Sequence, residues 1–473
     1  MPKIAMIGAG SIVFSTTLLN DMLATPSLSE SEFMLMDPNA AKLRRVEDHI
    51  RRLIDRQRLK ATVAATTVRR EALEGADYVI TTFQVGGMEA FQVDYAIPKK
   101  YGVDVCVGQC VGPGGVFRAL RSIPVMVELA RDMEELCPRA CLLNYVNPMA
   151  MLCTAVGLSS RIRFVGLCHG VQTTLDLISR YAGVRKSDID FLAAGINHMA
   201  WFLRIERNGQ DLYPRVLHNL ERPEYYINEK VRGEVARHFG YFCTESSGHL
   251  SDYLPWFRKN EATLGQYCDQ PGLGGESGFS YAFSLAMEEK YGRTDYLQYE
   301  TGELAPRSVE YCSHILEALE TGSPFRFNGN VMNDGFIANL PRDCCVEVPV
   351  YADRLGLHPV RIGRLPSPLA AMNQSNVTVQ QLGTEAALTG DPELVVAAIA
   401  MDPLTSAVLS LKQIRDMTIE MFEGQKQFLP QFGGKTPKSL PAVSIPANTV
   451  GVDVPLDPAL AVVHRFGKLM RNK

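Results

Sequence analysis

The sequence predicts an α/β protein, with a doubly wound parallel sheet in its N-terminal part and a mixed α+β domain after it. Three observations carry this reading. Residues 3–196 alternate short β-branched runs with longer stretches of helical period, the pattern of a parallel sheet covered by helices on both faces. The chain opens KIAMIGAGSIVF, an apolar strand that runs into a glycine turn and then a helical period. Beyond Trp201 the alternation stops, and hairpins and long helical periods take over.

Taken in order, residues 3–7 read as a strand, and 11–23 as a helix with Phe14, Leu18, Leu19 and Met22 on one face. FMLMD (33–37) is a second strand, 43–58 a basic amphipathic helix, and TVAATT (62–67) a third, short strand. ADYVITTF (76–83) has the continuous apolar run of a strand buried on both faces. A helix at 119–136, strands CLLNYV (141–146) and RFVGLC (163–168), a helix at 172–182 and the strand DFLAAGI (190–196) complete the series. WFLRIERNGQDLYP reads as a hairpin, with Asn208-Gly209 supplying the positive φ angles of a tight turn. Helical stretches are expected around 225–239, 279–320 and 404–425, and short strands at 326–331 and in CCVEVPV (344–350). The expected domains are 1–197, 198–434 and an extended arm rich in Pro, Val and Ala over 435–473.

Charged residues make up 21% of the chain and hydrophobic ones 46%, ordinary for a soluble globular protein. A net charge of −4 gives no reason to expect nucleic acid or an anionic membrane as partner. A strand beginning at residue 3 leaves no room for a signal peptide, and no apolar run approaches the ~18 residues of a membrane span. Eleven cysteines without a leader predict reduced thiols in a cytoplasm, and their spacing does not make the two C-x-x-C halves of a structural zinc site.

In GAGSIVF, Gly8 and Gly10 take the first two positions of a G-x-G-x-x-G turn, with Val13 in place of the third glycine. Such a turn lets the backbone approach a pyrophosphate above a helix N-terminus, here opened by Ser11, whose dipole favours anions. Asp37, at the end of the second strand, is the expected acceptor for a ribose hydroxyl and favours NAD over NADP. Val85 and Gly86, after the strand 76–83, would pass the cofactor on its other side. These features make the N-terminal sheet Rossmann-like.

Three further strands end in polar residues: Asn144 and Asn147 in NYVNP, Cys168 and His169 in GLCH, Asn197 and His198 in GINH. Ligands of open parallel sheets sit beyond the carboxyl ends of strands, so these clusters should converge near the nicotinamide. The thiolate of Cys168 and the imidazole of His198 suit a borderline divalent ion such as Mn²⁺, Fe²⁺, Co²⁺ or Ni²⁺. Two protein ligands would leave positions open for substrate, as in a catalytic metal site. The same spacing also fits a buried cysteine and a satisfied core histidine.

The chain resembles glycoside hydrolase family 4, the NAD- and metal-dependent glycosidases, over roughly residues 3–430, and within it the α-galactosidase (melibiase) branch. The stretches that carry the resemblance are GAGSIVF, LMDPN, FQVGG, VGPGGVFRALRSIP, LNYVNPMAM, VGLCHGV, AGINHMAW, GYFCTESSGHLSDYLPWF and GNVMNDGFIANLPRDCCVEV. The resemblance implies that Cys168 and His198 are metal ligands, that Gly8, Gly10 and Asp37 belong to the NAD site, and that Asn147 binds substrate hydroxyls. NPMA is also similar to a turn of lactate and malate dehydrogenases, whose fold the family shares. Ordinary glycosidases work with two carboxylates, and NAD-dependent ones are an exception. The implied route is oxidation at C3 of the sugar by NAD⁺, loss of the C2 proton with help from a metal, expected to be Mn²⁺, elimination at C1, addition of water, and return of the hydride.

The residues for acid and base are expected at His169, which argues against a 6-phosphate requirement, and in TESSGHLSDY, where His249 is the first candidate and Asp252 and Tyr253 stand nearby. Gln109 stands where many members carry a carboxylate, and Arg118 and Arg121 are each expected either to bind substrate or to cap a helix. Gly170 follows His169 where the α-galactosidase branch has Ser; with Gln109 it keeps an α-glucuronidase, α-galacturonidase or α-glucosidase open as alternatives. An NAD-dependent sugar dehydrogenase is the rival from another class. The resemblance further implies a homodimer or homotetramer acting on a small glycoside.

Overall fold

The computed structural model describes residues 1–292, 297, 303–453, 455, 457–460, 462, 466 and 467. The first six strands are β1 (Lys3–Ile7), β2 (Glu32–Met36), β3 (Thr62–Thr66), β4 (Tyr78–Thr81), β5 (Cys141–Asn144) and β6 (Arg163–Gly166). They pair in parallel in the order β3-β2-β1-β4-β5-β6, with the order reversing between β1 and β4. Around them run α1 (Ile12–Leu23), α2 (Ala40–Gln57), α3 (Arg69–Leu73), α4 (Gly87–Lys100), α5 (Gly112–Leu136), α6 (Met149–Ser159) and α7 (Gly170–Ala182). Side chains of β1 alternate between two cores, Ile4 and Met6 in one, Ala5 and Ile7 in the other, because successive strand residues point to opposite faces.

The sheet does not stop at β6. β7 (Asp190–Ile196), β8 (Met199–Arg207), β9 (Gln210–Asp211), β10 (Phe242–Cys243), β11 (Phe325–Met332), β12 (Cys345–Asp353) and β13 (Gly356–Pro359) extend it to thirteen strands. Strand 190–196, expected in the parallel series, is antiparallel to both its neighbours, β8 and β12. Only Asn197 and His198 join β7 to β8, far too few residues for the crossover that parallel pairing requires. The β11–β12 hairpin lies between β6 and β7 and is antiparallel to each. One sheet thus runs through the expected boundary at 197/198, and Met1–Lys438 forms one compact unit, with Ser439–Lys473 as a second. Residues 439–453, within the expected arm, are exposed and contain no strand.

Several helices differ from expectation. α5 begins at Gly112 rather than 119, with proline near its first position, where its missing N–H costs nothing. The sequence reading had no helix at α4, nor at Ser367–Thr389, whose apolar residues are spread around the helix because it is buried on most of its surface. The stretch 279–320 divides into Phe279–Gly292 and Cys312–Thr321, with 293–296 and 298–302 outside the described residues. No helix among the described residues is long and apolar enough to cross a membrane.

One buried ion pair ties three helices together. Arg121 of α5 donates to both carboxylate oxygens of Asp94 in α4 (3.0 and 2.6 Å) and to Gln425 at the end of Leu411–Gln425 (3.0 Å). Arg121 therefore joins helices through side chains and does not cap a helix end. Removing one member of a buried pair strands the other charge. Arg121→Met should destabilise the chain by about 3–5 kcal/mol, and adding Asp94→Leu should restore part of the loss. Thermal denaturation of the two variants tests this; equal midpoints for wild type and Arg121→Met would refute it.

Candidate active site

The glycine turn after β1 is built for close approach. Gly8 has φ +92°, and a Cβ there would lie 2.5 Å from the backbone nitrogen of Phe83. Gly10 N–H donates to Asp37 Oδ2 at 3.0 Å, while Oδ1 accepts from Asn39 N–H at 2.8 Å. The carboxylate that ends β2 is thereby locked beside the turn. Ser11 precedes α1 and lines the main cavity together with Phe14. Across the cavity mouth, Thr82, Phe83 and Gln84 line it, whereas Val85 and Gly86 do not. The Val85 carbonyl accepts from Arg121 at 2.9 Å, and Gly86, at φ +79°, turns the chain into α4.

This cavity, of about 620 Å³, continues past Asn147 and Arg118 to Cys168, His169, His198 and His249. His198 sits in the β7–β8 turn at φ +61°, a backbone conformation that a two-residue hairpin needs and that few non-glycine residues adopt. Asn373, fully buried in Ser367–Thr389, braces that turn by donating to the Met199 carbonyl (2.7 Å) and accepting from Trp201 Nε1–H (3.1 Å). The Tyr311 hydroxyl does the same for Cys168, accepting from its N–H (3.1 Å) and lying 2.8 Å from its carbonyl.

The ring nitrogens and sulfur of His198, His249 and Cys110 lie within 4.8 Å of one another, all three residues buried. Cys110 had no role in the sequence reading; its only signal was a thiol directly ahead of the glycine-rich start of α5. Glu245 was also missed, although it stands four residues before His249. Its Oε2 lies 3.3 Å from His249 Nδ1 and 3.7 Å from His198 Nε2. Burial alone would raise the Glu245 carboxyl, but the two imidazoles hold it well below the usual range. Burial alone would lower the His249 imidazole, but Glu245 and Cys110 bring it up to about 9. The Cys110 thiol, against the pull of burial, is brought down to about 6 by the same two histidines. His249 Nε2 is buried with no hydrogen-bond partner. Two imidazoles and a thiol this close, with an orphaned ring nitrogen, are a donor set that fits a divalent metal.

Not every expected residue reaches the cavity. Asp252, expected among the acids and bases, is 1% exposed and accepts from the backbone N–H groups of Cys106 (2.9 Å), Val107 (2.9 Å) and Gly108 (3.2 Å). All three bonds hold the loop that presents Gln109 and Cys110, so its carboxylate is committed to that loop. Tyr253 is buried too, its hydroxyl 3.4 Å from His198 Nδ1, where it steadies the imidazole. His169 does line the cavity and lies 3.2 Å from Glu310, whose carboxylate raises its pKa. Gln109 is already occupied: its amide donates to Ser280 (2.6 Å) and its carbonyl accepts from Arg118 (3.0 Å), which also donates to the Asn147 carbonyl (3.1 Å). A Cβ on Gly170 would lie 3.1 Å from the Thr244 carbonyl and 3.6 Å from Cys168 Sγ, so the glycine relieves crowding rather than adding room. Arg232 also lines the cavity, with its charge neutralised by Glu229 (2.5 and 2.6 Å).

Two sequence models match this architecture: family 4 glycosyl hydrolase over residues 3–184, and the family 4 glycosyl hydrolase C-terminal domain over 193–405. The chain belongs to glycosyl hydrolase family 4. Within the family it is 40% identical to an α-galactosidase of Rhizobium meliloti (91% of this chain, 89% of the relative). It is 39% identical to an α-galactosidase of Bacillus subtilis (91% and 100%). The fold matches that of a Thermotoga maritima 6-phospho-β-glucosidase solved with manganese, NAD⁺ and glucose-6-phosphate (TM-score 0.74, 21% identity, 90% and 99% covered). It also resembles a malate dehydrogenase of Plasmodium falciparum (TM-score 0.50, 13% identity, 84% and 100% covered). The expected α/β class and dehydrogenase-like sheet are thus those of the folded chain.

If Asp252 works through the loop, Asp252→Asn should speed amide hydrogen exchange at residues 106–108 by about tenfold or more, along with any loss of activity. A role confined to proton transfer would leave those amides as protected as in the wild type.

Proposed function

We propose that this chain is an α-galactosidase that cleaves by transient oxidation and elimination, with NAD⁺ and a divalent metal as cofactors. One observation carries the reading: a single cavity is bordered at one end by Ser11 and Phe14 of the nucleotide turn and at the other by Cys168 and His198. The substrate class rests on about 40% identity to α-galactosidases over nine-tenths of the chain. When bound, NAD⁺ supplies reversible hydride transfer at C3, and the metal acidifies the C2 hydrogen of the resulting ketone.

The chain's own residues account for the remaining tasks. Cys168 and His198 hold the metal, Gly8, Gly10 and Asp37 receive the nucleotide, and Asn147, at the cavity wall beyond β5, orients sugar hydroxyls. His249 is the base for the C2 proton in its neutral form: Glu245 engages Nδ1, Nε2 takes the proton, and a cation held at Cys168 and His198 would oppose the charging that Glu245 and Cys110 favour without it. His169 protonates the leaving oxygen, with Glu310 favouring its charged form. Gln109 and Arg118 shape the wall through their mutual bond, with one amide N–H of Gln109 given to Ser280. The likeness to α-galactosidases supports a neutral glycone. We also infer a homodimer or homotetramer, as the family resemblance implies, working in a reducing cytoplasm that keeps its eleven cysteines as free thiols.

Hydrolysis of a nitrophenyl α-galactoside in D₂O with NAD⁺ and Mn²⁺ should leave deuterium at C2 of the released galactose. Complete retention of protium there would mean direct displacement at C1, and net NADH accumulation would mean a dehydrogenase. Cys168→Ser should lose metal-dependent cleavage while keeping NAD⁺ binding. His249→Gln should lower kcat by about 10²-fold or more, again with NAD⁺ binding unchanged by calorimetry.

A further inference from the structure

We propose that Cys110 is a further metal ligand, which with Cys168 and His198 makes a two-thiolate, one-imidazole site selective for an ion softer than manganese. The proposal rests on the reading of the chain as a metal-dependent glycosidase. Its starting point is a group that the proposed reaction leaves unused. Asn147, His169, His198 and His249 all have tasks; Cys110 lines the same cavity, lies within 4.8 Å of both imidazole nitrogens and is given no proton to move.

Geometry supports the assignment. Cys110 lies between the backbone clamp of Asp252 and the first residues of α5, so its position is fixed from both sides. Gly115 of that helix passes so close that a Cβ there would lie 2.6 Å from the Cys110 carbonyl carbon, so the loop backbone packs directly on the helix and the thiol moves by its own side-chain rotation. His198 lies within 4.8 Å of the Cys110 thiol from the loop before α5, and Cys168, after β6, lines the same cavity. Metal–sulfur and metal–nitrogen bonds of about 2.0–2.3 Å bring ligand atoms on one ion to roughly 3.5 Å from each other, so Cys110 and His198, within 4.8 Å, need only a modest inward shift. His249 is the member that must stay free as a base, which leaves Cys110 as the third protein ligand.

The donor chemistry sets the ion. Oxygen and water ligands suit manganese, whereas two thiolates and an imidazole suit Zn²⁺, Fe²⁺ or Co²⁺. Three protein ligands with an open position are also the arrangement of catalytic zinc sites, so room for substrate oxygens remains.

The test uses cobalt as probe on the full-length chain. Co²⁺ loading should give a near-ultraviolet thiolate-to-cobalt charge-transfer band that falls by about half in Cys110→Ser, by about half in Cys168→Ser, and to nothing in the double variant. In competition binding, Cys110→Ser should lower the preference for Co²⁺ over Mn²⁺ by about tenfold or more. In the wild type, Co²⁺ should slow alkylation of Cys110 by iodoacetamide, a measurement that needs no variant to fold. An unchanged band and unchanged preference in Cys110→Ser, or alkylation of Cys110 indifferent to Co²⁺, would overturn the proposal. None of these readings depends on turnover: loss of Cys110 from the ligand set with α-galactoside cleavage intact would remove this inference alone, whereas an inactive enzyme with both thiols on cobalt would remove the glycosidase reading alone.

Discussion

The Glu245 carboxylate lies between two imidazoles, and the rest of the site depends on that arrangement. A buried carboxylate, two buried imidazoles and the thiols beside them would each be costly alone, because desolvation penalises every charged form. Together they offset one another: His249 and His198 hold Glu245 ionised, and Glu245 with the thiols favours charged imidazoles, a balance that a bound metal cation would shift toward the neutral rings. The groups come from the β7–β8 turn, the segment after β10 and the loop before α5. Their mutual attraction therefore ties distant parts of the chain to one point. Glu347, on β12, feels the same cluster: burial, with Glu245 nearby, pushes its carboxyl up to about 8 against the pull of His198.

The supports around that point have one purpose each. Asp252 spends its carboxylate on three backbone N–H groups, a charge-assisted clamp stronger than three neutral bonds. Asn373 and Tyr311 fix the two strand ends that carry His198 and Cys168. Such contacts set side-chain positions to fractions of an ångström, the precision that proton transfer and metal binding require. The parallel half of the sheet delivers the nucleotide turn, and its antiparallel continuation delivers His198. The cavity lies where the two halves meet.

Much of the fold was legible in the sequence for a local reason. β1, the glycine turn and α1 are contiguous, and the φ angle and close approach at Gly8 are properties that only glycine satisfies. Apolar runs placed β1, β4 and β5, because a strand covered on both faces must be apolar throughout, while β-branched residues marked the exposed edge strand β3. The same reasoning failed at 190–196, since period reports burial and says nothing of direction. Direction was set by the two-residue link to β8. The buried helix at Ser367–Thr389 escaped detection because neighbours cover most of its surface, which removes the one-sided stripe that marks a helix.

At the site, the sequence by itself determined the residues that sit at strand ends: Ser11, Asn147, Cys168, His169 and His198. Where a strand stops is a local property; the parallel strands gather their ends at one edge, and the antiparallel β7–β8 turn brings His198 to the same cavity. Only the tertiary structure decided that Cys110 and Glu245 join them and that Asp252 turns away to hold a loop. These roles arise from contacts between segments as far apart as residues 106 and 252, and no local pattern encodes which of several buried polar groups will meet. Chemical type told which residues could act; the packing of distant segments told which of them face the same space.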